Sequence, residues 1–455
     1  MKRRDFIKLS LAAGSAVLMP TFSYGATLDV NAITFSSATY NDNAAQTIII
    51  FMYGGASQLS GNITNLTQID QYSQNSHVDY FRGTTPTVNG CWQEAGGVHM
   101  EELIAAGDMT LYRTCYSQER EDAGNKAHGV CTDQNQRGTY DTDGGGIVAN
   151  IATILQAKGM INENTFMPFV TMEGESTFYA EGNIALAGYL KPVGVDEDFD
   201  NPYSRSVNRW LFCSDAESQN NSCTDSNSGY TPQLTTDMDT LSQSYNRNGK
   251  VKDAFTKRGE LSNFIEDNLK SKLDEDGNII TPVEYPRNNF SNKLKAAITL
   301  LDVNSDTKIV TLGTGGLGGW DDHNDARDYV SRMEDLFGSL KAAVAHLKAI
   351  NKDNKINIMV FGEFGRNVNL NSANGWDHGN LQNLYVLGGT DYFTHRGIVG
   401  ETVVDNAGSN RIWLKPKNGT YWFEPLSIAS TLYNIYGIEN PNVLTGGNYS
   451  PVNIV

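Results

Sequence analysis

Apolar residues along this chain follow two periods. Thr47–Tyr53 (Thr-Ile-Ile-Ile-Phe-Met-Tyr) is an unbroken β-branched and aromatic run that stops at Gly54-Gly55. Such a run predicts a strand buried on both faces of a parallel sheet. Met109–Thr114, Phe166–Thr171, Lys308–Leu312, Ile356–Phe361 and Leu384–Leu387 predict further strands, and Lys308–Leu312 leads into the glycine loop Gly313–Gly319. From Asn324 or Asp325 the period changes. Ala326, Tyr329, Val330, Met333, Leu336, Phe337, Leu340, Val344, Leu347 and Ile350 recur at three- and four-residue steps. This pattern predicts a long amphipathic helix capped by one of those two polar residues. With the strand that follows at Ile356, it forms a βαβ unit. Glu424–Tyr436 predicts a C-terminal helix.

The middle of the chain departs from this alternation. Residues Asp196–Thr235 are rich in Asn, Asp and Ser, a helix is predicted from about Val251 to Leu273, and Asp274–Asn278 reads as a solvated Asp-Gly turn. The region Gly174–Val303 is therefore read as an insertion or cap on an α/β core. Residues 27–455 are read as one domain, and no internal repeat is present.

Composition narrows the partners. The 455 residues carry a formal charge of −17, which argues against nucleic-acid binding and against docking on anionic lipid. The N-terminus opens with Arg3-Arg4 and Phe6-Ile7, continues through the mildly apolar Leu9–Pro20, and reaches small residues at Ser23–Ala26. This order reads as a twin-arginine signal over residues 1–26, cleaved near Gly25 or Ala26. It implies recognition by the twin-arginine export machinery and a periplasmic or secreted destination. No other stretch reaches the ~18 apolar residues of a membrane span. In an oxidising compartment disulfides can form, and Cys213 and Cys223, which bracket a polar loop, are the preferred pair. A second bridge would draw on Cys91, Cys115 and Cys131. C-x-x-C spacing does not occur, so a thiolate zinc site is not expected.

The candidate chemistry sits where predicted strands or glycine loops end. Gly318–His323 reads Gly-Gly-Trp-Asp-Asp-His, Gly362–Arg366 reads Gly-Glu-Phe-Gly-Arg, and Gly375–Gly379 reads Gly-Trp-Asp-His-Gly. Open α/β sheets place their sites at such strand ends. Asp321 and His323 are two residues apart, so in an extended loop their side chains point the same way. The adjacent Asp377 and His378 need a turn to converge, which the flanking Asn374, Gly375, Gly379 and Asn380 permit. Asp/His pairs of this kind build divalent-metal hydrolase sites; the alternative is a set of turn and cap residues, with Asp321 and Asp322 favouring the dipole of a helix N-terminus. The Gly313–Gly319 loop lacks the lysine and Ser/Thr of a P-loop.

Five blocks in this order resemble the exported domain-of-unknown-function family 1501. They are the twin-arginine leader, the strand ending at Gly54-Gly55, Lys126–Gly138, the Gly-Trp-Asp-x-His run, and Glu-Phe-Gly-Arg followed by Asp-His-Gly. That family is placed by similarity in the alkaline-phosphatase and sulfatase superfamily. The resemblance implies a three-layer α/β fold: a mostly parallel central sheet flanked by helices, with an inserted cap. It also implies a divalent metal (zinc, calcium, magnesium or manganese) held by Asp321, His323, Glu363, Asp377 and His378, with Arg366 and His128 orienting an anionic ester. Two positions depart from the family pattern. Ser57 stands where relatives carry a metal-binding aspartate, and Ala127 stands where a serine nucleophile precedes the histidine. Alanine cannot form a covalent phospho- or sulfo-enzyme. Two functions follow from the resemblance: a metal-dependent hydrolase of phosphate or sulfate esters using water, or a non-catalytic binding or assembly protein of the cell envelope that keeps the fold.

Overall fold

A computed structural model describes residues 28–72, 77–81, 83–141, 143–199, 257, 259–405 and 411–452. The signal segment, the Cys213/Cys223 pair and the first part of the helix expected over 251–273 lie outside those residues. Cys91, Cys115 and Cys131 are all buried free thiols.

The strands are β1 (Gln46–Met52), β2 (Met109–Tyr116), β3 (Phe169–Thr171), β4 (Val193–Gly194), β5 (Ile309–Gly313), β6 (Ile356–Gly362), β7 (Gly365–Arg366), β8 (His378–Gly379), β9 (Leu381–Gly388), β10 (Gly397–Val399), β11 (Thr402–Asp405) and β12 (Trp413–Pro416). Eight of them form one sheet in the order β10-β2-β9-β6-β1-β5-β3-β4. Every pairing in it is parallel except those of β9, which runs against both β2 and β6. The remaining four make two short antiparallel pairs, β7 with β8 and β11 with β12.

The run Gln46–Met52 is buried throughout because it lies in the middle of this sheet with helices over both faces. Its alternation divides the core. Ile48, Ile50 and Met52 enter one apolar cluster, while Ile49 and Phe51 enter the other. The six longer helices are α1 (Val98–Ala105), α2 (His128–Arg137), α3 (Ile147–Ala157), α4 (Asn289–Val303), α5 (Tyr329–Ala349) and α6 (Leu426–Ile435). Apolar faces of α1, α4 and α5 fill the first cluster, and those of α3 and α6 fill the second. The architecture is three layers, helix–sheet–helix.

Three elements differ in detail from the sequence expectation. The strand expected from Phe166 begins at Phe169. Met167 has a φ of +50°, and Pro168 has no N–H to give to a ladder. The long helix begins at Tyr329, not at Asn324 or Asp325. Asp325 instead accepts from the Arg327 N–H at 3.0 Å and from the Tyr80 hydroxyl at 2.6 Å, closing a separate turn before the helix. The stretch read as an insertion ends in α4, whose Phe290, Leu294, Ala297, Ile298 and Leu301 are core residues. Asn288 caps it by accepting from the Ser291 N–H at 2.7 Å. Among the described residues no helix is long and apolar enough to cross a membrane.

One buried histidine packs among aromatic rings. His77 is 1% exposed and stacks on Phe81 and Trp376, with ring centroids 5.8 and 6.0 Å away. Its Nε2 donates to the Val368 carbonyl at 2.9 Å, and its Nδ1 has no hydrogen-bond partner. Burial pushes its pKa down from 6.5 to about 4, against a smaller upward pull from that carbonyl. The unfolded chain then takes up the proton first as pH falls, so this contribution is whole above pH ~6.5 and is lost progressively toward pH ~4. Between pH 7 and pH 4.5 the wild type should lose up to ~3 kcal/mol more unfolding free energy than His77→Phe. Denaturant melts of both proteins across that range check this; superimposable pH profiles would contradict it.

Candidate metal centre

The opposed direction of β9 assembles the site. Its amino end lies at the same edge of the sheet as the carboxyl ends of β1, β5 and β6. The loop after β5 brings Asp321 and His323 to that edge, and the segment entering β9 brings His378. His128 arrives as the first residue of α2, and Glu363 directly follows β6. Two glycines allow the loops to meet. At Gly54 φ is +106°, and a Cβ there would lie 2.6 Å from the Asp321 nitrogen. A Cβ on Gly375 would lie 2.2 Å from the His323 carbonyl carbon and oxygen.

His128, Asp321, His323 and His378 each offer one ligand-capable atom, and these four atoms lie within 4.8 Å of one another. The Asp321 Oδ1 is 3.4 Å from His128 Nε2 and 3.5 Å from His323 Nε2. His323 Nε2 and His378 Nε2 are 2.7 Å apart. The opposite edge of each ring is held from outside. His128 Nδ1 meets Glu363 Oε1 at 2.6 Å, His323 Nδ1 is 3.4 Å from Asp377 Oδ1, and His378 Nδ1 donates to the Lys126 carbonyl. A carbonyl only accepts, so His378 carries its proton on Nδ1 and turns the Nε2 lone pair inward. The carboxylate of Glu363 assigns the same tautomer to His128, whose Nε2 is buried without a hydrogen-bond partner.

Charge at the site is arranged around this convergence. Burial, then the nearby Arg366 and His128 charges, push His378 down to about 4. Burial is the largest single influence on Asp321 and pushes it upward. The hydrogen bond and charge of Arg366, with the charges of His128 and His323, outweigh it and hold the carboxyl below its usual range.

The residues expected from sequence divide into two sets. Asp321, His323 and His378 converge as expected, and His128, expected to orient substrate, stands among them with its Nε2 turned inward. Glu363 and Asp377 lie behind the imidazoles. Glu363 is 2% exposed and accepts from His128, from the Gly54 N–H at 2.9 Å and from the Thr132 hydroxyl. Asp377 turns away because the expected turn at 377–378 does not form. Residues 365–367 and 377–379 pair as antiparallel extended chain, so adjacent side chains point to opposite sides. Asp377 therefore meets His323 Nδ1, Asn371 at 3.3 Å and Arg411 at 3.1 Å.

Arg366 also differs from the reading made of it. Its side chain is fully buried. The guanidinium donates to the carbonyls of Gly55 (2.7 Å), Trp376 (3.0 Å), Trp320 (3.2 Å) and Gly54, and to Asp321 Oδ1 at 2.7 Å. It ties three loops together and aims Asp321, with its fork directed into the protein and not toward an incoming anion. The Ser57 hydroxyl accepts from the Leu59 N–H at 3.4 Å and caps the turn at Gln58–Gly61. Ala127 is exposed at the start of α2, where no side chain caps the helix. The Lys126 carbonyl and Arg411 escaped the sequence reading. A backbone carbonyl leaves no trace in residue identity, and Arg411 lies far along the chain from the Asp377 that it meets.

A family model described as "Protein of unknown function (DUF1501)" matches residues 44–407. The chain belongs to that family. The DUF1501 match contains every residue of the centre; of the groups behind it, Arg411 falls just beyond. No match was found among curated proteins. Among solved structures, this DUF1501 chain is similar to the protein described as Ps i-CgsB in complex with k-i-k-neocarrahexaose, at 11% identity over 89% of this chain and 74% of that one, with a TM-score of 0.40. It is similar to alkaline phosphatase from the Antarctic bacterium TAB5, at 14% identity over 86% of this chain and 98% of that one, with a TM-score of 0.36. It is also similar to the lipoteichoic acid synthase LtaP from Listeria monocytogenes, at 8% identity over 92% and 79%, with a TM-score of 0.33.

Proposed function

We propose that this chain is an exported, metal-dependent hydrolase of a phosphate or sulfate ester. The observation that carries the reading is the inward convergence of three imidazoles and one carboxylate. Two imidazole nitrogens 2.7 Å apart need a proton or a cation between them. A shared proton would satisfy that pair alone, and His128 Nε2, which makes no hydrogen bond, would keep only its 3.4 Å contact with Asp321 Oδ1. A divalent cation satisfies all four groups at once. Carboxylates Asp321, Glu363 and Asp377 are set against the guanidinium groups of Arg366 and Arg411. With neutral imidazoles the centre is then one charge negative, and a divalent ion reverses its sign, which favours an anionic substrate.

A bound divalent ion supplies Lewis acidity toward the ester and makes water a usable nucleophile near neutral pH. Glu363, Asp377 and the Lys126 carbonyl fix the imidazoles, and Arg366 fixes Asp321. Water as the nucleophile fits the absence of a hydroxyl at Ala127 and the use of the Ser57 hydroxyl in a turn. The same two residues favour a second reading, a non-catalytic envelope protein that retains the metal to bind an anionic partner. The leader at residues 1–26 supports export by the twin-arginine route in either case.

A panel of phosphate and sulfate monoesters and diesters, assayed with metal-loaded, chelator-stripped and reloaded protein, separates the two. The hydrolase reading expects turnover that chelation removes and metal restores. Retained metal without turnover on any ester would replace it with the binding-protein reading.

A further inference from the structure

We infer that the centre holds a single ion of the zinc class, bound through His128, His323, His378 and Asp321, and is built neither for a pair of ions nor for calcium or magnesium. The inference rests on the metal-binding part of the proposed function and goes on to the identity, number and ligand set of the ion. Labour is divided at the centre: His128 ligates, while Glu363 and Asp377 do not.

The donor atoms decide the class of ion. Three of the four are imidazole nitrogens and one is a carboxylate oxygen. Calcium takes six to eight oxygens, and magnesium keeps an octahedral oxygen shell. Nitrogen-rich sets of four suit zinc, cobalt and their neighbours, and affinity for such donors rises along the first-row series. Carboxylates that would have made the site oxygen-rich are committed elsewhere. Glu363 accepts from a backbone N–H, a hydroxyl and the back of His128, and Asp377 faces the back of His323, Asn371 and Arg411.

Geometry decides the number. Paired ions sit ~3.5–4 Å apart and each needs its own share of ligands. Among the described residues only one group of side chains converges in this way, and its four atoms span at most 4.8 Å. Beyond the end of β1 the Ser57 hydroxyl is turned into the Gln58–Gly61 turn, away from the role of a ligand.

Carboxylate–imidazole contacts behind a metal orient the ring and strengthen the donor, and losing one costs about 10–100-fold in affinity while the ligands stay in place.

The test uses the whole chain, stripped with chelator and then titrated separately with zinc, cobalt, calcium and magnesium. Binding is followed by elemental analysis, by competition with a chromogenic chelator, and by the visible spectrum of the cobalt form. We expect one zinc or cobalt per chain, a four-coordinate cobalt spectrum, and no displacement of zinc by millimolar calcium or magnesium. In Asp377→Asn and Glu363→Gln the cobalt spectrum should keep its shape while affinity falls ~10–100-fold. Two tightly bound ions per chain, preference for calcium or magnesium over zinc, or a cobalt spectrum typical of six-coordination would each overturn the inference. These measurements use the wild-type protein, so they stand even if a variant fails to fold. A protein that binds one zinc ion and cleaves no ester would remove the hydrolase reading and leave this one intact.

Discussion

His323→Ala is expected to leave a folded protein that no longer retains metal. The ring is one of three imidazoles at the centre, about one-third exposed, and its Nε2 lies 2.7 Å from His378 and 3.5 Å from Asp321. Its removal takes away a donor and relieves the close approach of the two nitrogens. It opens no core cavity, because the side chain is one-third exposed. Loss of an outer partner already costs ~10–100-fold in affinity, so loss of a ligand should exceed that and drop bound zinc below ~0.2 per chain after dialysis. Circular dichroism and the metal-free melting temperature should change little. Elemental analysis of wild type and variant prepared side by side decides the matter, and equal metal in both would remove His323 from the centre.

Arg366→Met is expected to act in the opposite way, on the fold before the metal. The guanidinium sits among the carbonyls of Gly54, Gly55, Trp320 and Trp376, with Asp321 as its charged partner. Methionine fills much of the volume but donates nothing. Each buried carbonyl left without a donor costs ~1–3 kcal/mol, and removing one side of a buried ion pair costs ~3–5 kcal/mol. Asp321 is half exposed, so water recovers most of its share, and a loss of at least ~4 kcal/mol is expected from the four carbonyls. Arg366→Lys should rescue little, because a compact ammonium cannot reach carbonyls on three loops from one point. Denaturant midpoints measured in chelator separate this loss from any effect of metal. A variant as stable as wild type would mean that the loops are held by other contacts.

The two substitutions together separate groups that sequence could not tell apart. His323 and Arg366 both follow glycine-rich strand ends and both carry polar heads, yet one faces the centre and the other faces the backbone that forms it.

Sequence by itself determined the strands β1, β2, β3, β5, β6 and β9, the long helix and the identity of the polar groups that gather at one edge. Continuous β-branched runs such as Gln46–Met52 can be satisfied only inside a covered sheet, so local composition fixed their state. The i, i+2 spacing of Asp321 and His323 put their side chains together, 3.5 Å apart, while Asp322 between them turned to Arg332. Tertiary structure decided the rest. Four imidazole and carboxylate atoms meet because β9 runs against its neighbours and delivers His378 to the edge where β1, β5 and β6 end. Nothing in the local sequence of β9 encodes that direction. Pairing of residues 365–367 with 377–379 then sent His378 inward and Asp377 outward, and Glu363 and Arg366 came to lie buried behind the groups that face the centre. Residue identity sets which chemistry is available. Which atom faces the centre depends on strand direction and on hydrogen bonds between segments more than two hundred residues apart, such as that from His128 to Glu363.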